Sequence, residues 1–425
     1  MRLYSKLNQL SIDNKEIRVG LVGAGQMGSH MIAVMNQMKG IKVRAVCDLD
    51  LGRVKTVLSR YYNENQIIQY DRSKEYSDND ILISTEAKDI TEIPSVDVII
   101  EATGNPDIGA KVAYFGINNK KHIVMLSYET VVTIGHILNT MAKSAGVIFT
   151  GAAGDEPAAI LELYDFAKAL GFEVVAAGKG KNNSFNRYAT PESVTEEAKE
   201  CGTSSKMHCS FVDGSKTMVE MTAVANATGL IPDIRGMHGP TVKLEELTKV
   251  FSLRKDGGIL GKKGVVDFAL GNIAPGVFVI ITTDDPLIAE DLKFEKMGEG
   301  PNYLLYRPYH LCDIETPLSA LLAKEFSESS HVPLDRPYAE VFPIAKKDLH
   351  PGDVLDGFGG VTCYSSMDEA QKVKSENLLP AGIAKGAIVI TPIKKDTPIT
   401  YDMVELPEKS ILIHLRKLQD LFLEA

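Results

Sequence analysis

At 425 residues the chain is too long for one ordinary core, and 44% apolar with 24% charged residues describes a globular protein, neither disordered nor fibrous. A net charge of −10 argues against nucleic acid or an anionic membrane surface as partner, because both want clustered Lys and Arg; an anionic substrate would have to be held by local cations. No apolar run approaches the roughly 18 residues that span a bilayer, residues 1–16 lack the apolar core of a secretion signal, and the five cysteines show no zinc or redox spacing. A cytoplasmic chain with buried, reduced thiols is expected.

The run Ile17 to Val22 has the continuous apolar pattern of a strand buried on both faces of a parallel sheet. It enters Gly23-Ala-Gly25-Gln26-Met27-Gly28, a helical stretch follows from Ser29 to Met38, and a second strand, Val43 to Cys47, ends in Asp48, 20 residues beyond Gly28. This is the strand, glycine turn, helix and acidic strand end of a dinucleotide site. Gly23 permits the tight turn, Gly25 admits a pyrophosphate to the backbone, and Gly28 lets the helix pack on the strand. The helix start presents unpaired N–H groups to the phosphates, with Gln26 and Met27 in its first turn. Asp48 accepting from the ribose 2′-hydroxyl favours NAD, whereas nearby Arg53 leaves NADP open. Two further buried strands end in Glu101-Ala-Thr103-Gly104-Asn105 and Ser127-Tyr-Glu129. Loops at such strand ends line the ligand crevice, so Thr103, Gly104, Asn105 and Glu129 are expected near the nicotinamide, with a helix-capping role the alternative for Glu129.

Beyond residue 150 simple alternation of strand and helix ceases. Asp155 and Glu156 open a helix with Pro157 in its first turn. A divalent metal on these two acids is the weaker reading, since adjacent carboxylates there usually complement the helix dipole. A strand from Phe172 to Ala176 leads into Gly-Lys179-Gly-Lys181-Asn-Asn183, read as a cationic loop suited to a phosphate or carboxylate, or else a solvated loop. Asp213 and Gly229 frame a helix apolar on nearly every side, whose polar residues Lys216, Glu220 and Asn226 must then face a cavity or each other. Lys216 and Glu220 stand four apart and form either a proton relay or a structural ion pair. Arg307 and His310 are candidate ligands for an anion and a hydroxyl. The segment from residue 339 contains two copies of one phrase, Ala345-Lys-Lys-Asp348 and Ile393-Lys-Lys-Asp396, and reads as a compact β module that covers the site or joins subunits.

The Gly23–Gly28 turn, Glu101-Ala-Thr-Gly104, Ala176-Ala-Gly-Lys-Gly180, Phe211-Val-Asp-Gly-Ser-Lys216, Ala223-Val-Ala-Asn-Ala-Thr-Gly229 and Leu305-Tyr-Arg-Pro-Tyr-His310 together resemble the homoserine-dehydrogenase-like oxidoreductases that end in a SAF domain. That family includes the deoxyxylulose-phosphate-reductoisomerase-like enzymes, which convert 1-deoxy-D-xylulose 5-phosphate to 2-C-methyl-D-erythritol 4-phosphate, and related sugar-acid oxidoisomerases. The resemblance implies NAD(P) on the glycine motif and a substrate pocket lined by 179–183 and 213–220. Asp48 departs from an NADPH-using reductoisomerase, and Asp155-Glu156 departs where an amide is expected. The expected architecture is α/β: a doubly wound Rossmann domain over 1–150, an α+β substrate domain over 151–338 and a SAF-like module over 339–425, assembled as a homo-oligomer. The expected chemistry is NAD(P)-dependent oxidoreduction of a small anionic polyhydroxylated substrate by a reductoisomerase, or else a sugar-acid oxidoisomerase, with Lys179, Lys181, Asn183, Asn226, Arg307 and His310 binding the substrate and Lys216, Glu220, Lys179 and Asp213 catalysing. A simple dehydrogenase, a lyase using bound NAD without net turnover, and a dinucleotide sensor are the alternatives.

Overall fold

The computed structural model describes residues 2–424 and divides into two units. The first takes the chain up to Asp155, Leu311–Val332 and the stretch from Ser410 onward; the second takes Glu156–His310 and Pro333–Lys409.

The first unit is built on seven parallel strands: β1 (Ile17–Val22), β2 (Ile41–Cys47), β3 (Ile67–Gln69), β4 (Ile81–Ser84), β5 (Val98–Glu101), β6 (His122–Met125) and β7 (Phe149–Gly151). Their order is β3-β4-β2-β1-β5-β6-β7. Val19, Leu21, Val98 and Ile100 are fully buried, as strands covered on both faces must be. The connections after β1 and β5 leave on opposite sides of the sheet, and the space between their carboxyl ends is the switch-point crevice where such sheets bind ligands. Met31, Ile32 and Met35 of the helix Gln26–Gln37 close one face of the core together with Ala320 and Leu321.

The second unit holds a five-stranded sheet in the order β12-β11-β8-β10-β9, comprising β8 (Glu173–Lys181), β9 (Ile231–Pro232), β10 (Val265–Leu270), β11 (Val277–Thr282) and β12 (Asn302–Arg307). β8 is central, parallel to β10 and antiparallel to β11. This corrects the loop expected at 178–183: β8 runs on through Lys181. The glycines allow it, because a Cβ on Gly178 would lie 2.1 Å from the Asp267 carbonyl oxygen and one on Gly180 would lie 2.3 Å from the Ala274 nitrogen. Alternation then puts Lys179 and Lys181 on one face.

The segment after Pro333 adds the antiparallel pair β13 (Ala339–Ala345) and β14 (Cys363–Glu369) and the short pair β15 (Ile388–Val389) and β16 (Val404–Glu405). The two lysine phrases bond to each other, Leu349 and Ile393 exchanging N–H···O bonds of 2.8 and 2.9 Å. Where the sequence suggests a separate module over 339–425, this strand region belongs to the second unit. Its Ser365 N–H donates to the Ser215 hydroxyl at 2.9 Å, and Tyr338 and Ala339 N–H donate to Asn226 Oδ1 at 2.8 and 3.0 Å, tying it to the buried helix Ser215–Thr228. The final helix, Ile411–Glu424, returns to the first unit, where Gln419 Oε1 accepts from Ile137 N–H at 3.1 Å. None of the five cysteines is in a disulfide; Cys47, Cys209 and Cys363 are buried as expected, whereas Cys201 is exposed and Cys312 partly so. Among the described residues no helix is long and apolar enough to cross a membrane.

Candidate active site

The glycine turn carries three distinct constraints. Gly23 sits at φ +100°, and a Cβ there would lie 2.7 Å from the Ala102 carbonyl oxygen, so the loops after β1 and β5 touch. A Cβ on Gly28 would lie 2.0 Å from the Gly23 oxygen, so the helix rests directly on the turn. Gly25 has nothing within 4 Å of its Cβ position, leaving open space above the backbone. The helix Gln26–Gln37 has Gly25 as N-cap and no side-chain cap, so its first N–H groups face that space beside the exposed Gln26 and Met27. Open backbone and an uncapped helix start fit a pyrophosphate.

Asp48 closes this side of the crevice. Its Oδ2 accepts from Ala24 N–H at 2.7 Å, and its Oδ1 from Asp50 N–H at 2.9 Å and Arg53 Nη2 at 2.7 Å. Burial would raise its pKa, but these hydrogen bonds and the Arg53 charge outweigh burial and hold the carboxyl below its usual range. Asp48 therefore stays ionised, with lone pairs for a ribose hydroxyl, and Arg53 is matched by a carboxylate before any 2′-phosphate arrives. On the other side the wholly buried Glu101 accepts from Thr103 N–H at 2.8 Å and from the Thr103 hydroxyl. Burial pushes its pKa up. Gly104, at φ +65°, donates to the Ser127 hydroxyl at 3.0 Å, and Asn105 caps the helix Pro106–Asn118. Glu129 lies buried in the first turn of the helix Tyr128–Ala145, the alternative weighed for it. Glu101 escaped sequence reasoning because an acid ending an apolar strand is indistinguishable from a solvated one.

In the second unit the central feature is Lys179. Its ammonium bonds both Glu156, from the helix Glu156–Ala169, and Glu220, from the helix Ser215–Thr228, and all three residues are buried. Burial would lower the lysine pKa, but the two carboxylates reverse this and raise it above the ordinary value. Glu220 is raised by burial and by Glu156, against the pull of Lys179 and of half-buried Lys216. Lys216, four residues earlier on the same helix, thus acts on Glu220 together with Lys179 from β8. His310 Nε2 lies 3.4 Å from Glu156 Oε1.

Lys181, two residues along the same face, donates to the Phe211 carbonyl at 2.6 Å. Burial, with the Lys179 charge added, brings its pKa down to about 8. Asp213, expected as a helix N-cap, ends the preceding helix Ser205–Val212 and still accepts Ser215 N–H at 2.8 Å. It pairs at 2.8 Å with Lys346, a buried lysine that also donates to the Ala189 and Gly360 carbonyls at 2.7 Å each. Burial raises the Asp213 pKa, and Lys346 partly offsets it. Lys346 was illegible in sequence, since a Lys-Lys pair 133 residues downstream reads as surface.

Three expected ligands have the following protein partners. Arg307 donates to Glu162 at 2.9 Å and stacks on Tyr309, the Asn226 side-chain oxygen is taken by backbone, and Asn183 donates to Asn182 at 3.1 Å. Of the two metal candidates, Asp155, in the first unit, accepts from the Cys312 thiol at 3.4 Å, and Glu156, in the second, is bound by Lys179.

Comparison with known proteins divides the chain similarly. Residues 17–126 match the NAD-binding Rossmann fold of an oxidoreductase family, and residues 154–316 match the catalytic domain of the oxidoreductase DRL. Two stretches of the chain are thus similar to an NAD-binding and a catalytic domain of oxidoreductases. It is 28% identical over 133 residues to the homoserine dehydrogenase of Bacillus subtilis, covering 31% of this chain and 28% of that protein. It is 31% identical over 108 residues to inositol 2-dehydrogenase of Salmonella typhimurium, covering 25% and 27%. The matched stretch thus spans just over a quarter of either relative. Among solved structures, a probable dehydrogenase from Thermotoga maritima aligns with a TM-score of 0.43 at 13% identity over 75% of this chain and 91% of that one. Scyllo-inositol dehydrogenase from Lactobacillus casei, with NAD(H) and scyllo-inositol, aligns at 0.36 and 12% over 69% and 76%.

Proposed function

We propose that the chain is an NAD(P)-dependent oxidoreductase acting on a small anionic polyhydroxylated substrate, and within that class a reductoisomerase resembling the deoxyxylulose-phosphate-reductoisomerase-like enzymes. The observation that carries the reading is the pair of lysines on one face of β8, one locked as a cation between Glu156 and Glu220 and the other poised to titrate near neutral pH. When bound, the nicotinamide coenzyme supplies the two-electron redox capacity that no side chain has.

The residues of the chain do the rest. Gly25 and the uncapped helix start hold the pyrophosphate, and ionised Asp48 accepts from the adenosine ribose, which favours NAD over NADP. Lys179 provides a fixed positive charge to stabilise an oxyanion, oriented by its two carboxylates. Lys181, with a pKa of about 8, gives a proton to the substrate oxygen in reduction and takes it back in oxidation. Lys216 and Glu220 set the potential around that oxygen. The strand-rich segment beyond Pro333 takes the place of the SAF-like module that the sequence resemblance implies.

A screen of sugar phosphates and branched sugar acids with both coenzymes, followed by nicotinamide absorbance, tests the reading. Turnover is expected with a phosphorylated hydroxyketone; turnover only with a sugar acid would instead make the chain an oxidoisomerase or simple dehydrogenase. Failure to bind either reduced coenzyme would remove the oxidoreductase assignment.

A further inference from the structure

The second unit contains a cavity of about 220 Å³ lined by Phe185, Arg187, Asp213, Met218, Arg235, Ile344, Tyr364, Ser365 and Ser366, residues drawn from both sides of Pro333. That volume lies below the roughly 300–1,000 Å³ of drug-sized pockets and suits a short chain.

Its polar groups are prepared for an anion. Arg187 has no carboxylate partner among the described residues; its guanidinium lies over the rings of Phe185, at 5.6 Å, and Tyr364, at 5.9 Å. Stacking restrains the planar fork while leaving its N–H groups to bond elsewhere. Arg235 is held by Asp368 at 2.8 Å through Nε and by Glu376 at 2.5 Å through Nη2, and lies over Phe342 at 5.3 Å. Its Nη1 has no hydrogen-bond partner among the described residues. Ser365 and Ser366 are 6% and 7% exposed, and neither hydroxyl has a partner among those residues. Asp213, the carboxylate in the lining, is balanced by Lys346 and suits a substrate hydroxyl rather than repelling the anion.

We propose that this cavity binds the oxyanion end of a small polyhydroxylated molecule, with Arg187 as its main anchor, Arg235 and the two serines as further donors, and Asp213 accepting from a hydroxyl. The segment beyond Pro333 thereby completes a ligand site. This deepens the function proposed above and rests on it in taking the ligand for the substrate: Asp213 lies two residues past Phe211, whose carbonyl binds Lys181, and Asp213 also acts electrostatically on Lys181. The cation expected at Arg307 is thus supplied by Arg187, since Arg307 is engaged by Glu162.

Calorimetric titration of the full chain without coenzyme, using dihydroxyacetone phosphate, glycerate and uncharged dihydroxyacetone, tests this directly. A phosphate or carboxylate ligand is expected to bind and dihydroxyacetone is not; the tighter of the two anions names the source. Arg187→Met, which breaks no ion pair, should weaken the anion by at least about tenfold, the loss of one charge-assisted hydrogen bond. Ser366→Ala should weaken it less, and NADH binding should be unchanged in both variants. Equal affinity in Arg187→Met, binding of dihydroxyacetone as tight as that of the anions, or no anion binding at all would overturn the proposal. NADH binding by the same samples reports on the redox assignment separately, so either idea can fail alone.

Discussion

The two glycine-bearing segments of the chain use the same residue for opposite ends. In the first unit Gly25 leaves empty space for a ligand and Gly28 lets a helix sit on a turn; in the second, Gly178 and Gly180 let neighbouring segments close in, and Lys179 between them and Lys181 just beyond are buried. The first arrangement is local and prepares a surface for phosphate. The second is long-range, because Lys179 is fixed only when Glu156 and Glu220 arrive from two different helices. The difference predicts that damage to the second region falls on folding first and damage to the first falls on coenzyme binding.

The largest effect is expected for Lys179→Met. It strands two buried carboxylates, and a loss of about 3–5 kcal/mol in chemical denaturation is expected at neutral pH. Because Glu220 already has a raised pKa, the loss should shrink as the pH falls and the carboxylates take up protons; adding Glu156→Gln and Glu220→Gln should restore most of it. Unchanged stability in the single variant would show that the cluster is not buried as described.

Lys181 sharpens the contrast from the other direction. Its pKa of about 8 lies below the ordinary lysine value of 10.5, so the unfolded chain holds more protons between those limits. Wild-type stability should therefore rise as pH climbs from about 8 to about 10.5, on the order of 3 kcal/mol, and stay flat with respect to this group below 8. The rise should vanish in Lys181→Met. In the reductive direction the same titration should give an activity limb that falls above pH 8; a profile unchanged in Lys181→Arg would contradict the proton-transfer role.

Gly28→Ala should cost about 1–3 kcal/mol of stability while weakening NADH binding more than any variant at β8, since its Cβ would meet the Gly23 oxygen. Asp48→Ala should produce the smallest shift, a relative gain for NADPH over NADH as the carboxylate leaves and Arg53 is released. An unchanged coenzyme ratio would reassign the ribose contact.

Legibility from sequence followed range. The strand, turn and helix around Gly23–Gly28 and the acid at Asp48 are readable because each role depends on residues within about one βαβ unit. The helix ending at Gly229 was equally plain, as its all-round apolar surface announces burial. What the sequence hides involves partners far apart: Lys179 and Lys181 read as loop cations because nothing local reveals that β10 and β11 flank them, and nothing beside the Lys216–Glu220 spacing shows that Lys179 also reaches Glu220. Arg187, Arg235 and Lys346 were missed for the same reason. An isolated Arg or Lys in a polar stretch shows its chemistry only when a fold closes around it.

On the function proposed, the glycine turn and Asp48 hold a nicotinamide dinucleotide. Calorimetric titration of the full chain with NADH and NADPH, repeated on Gly28→Ala, tests it most directly. Saturable binding of NADH, tighter than NADPH and lost or strongly weakened in the variant, is expected; no binding of either coenzyme, or binding indifferent to Gly28→Ala, would contradict the account.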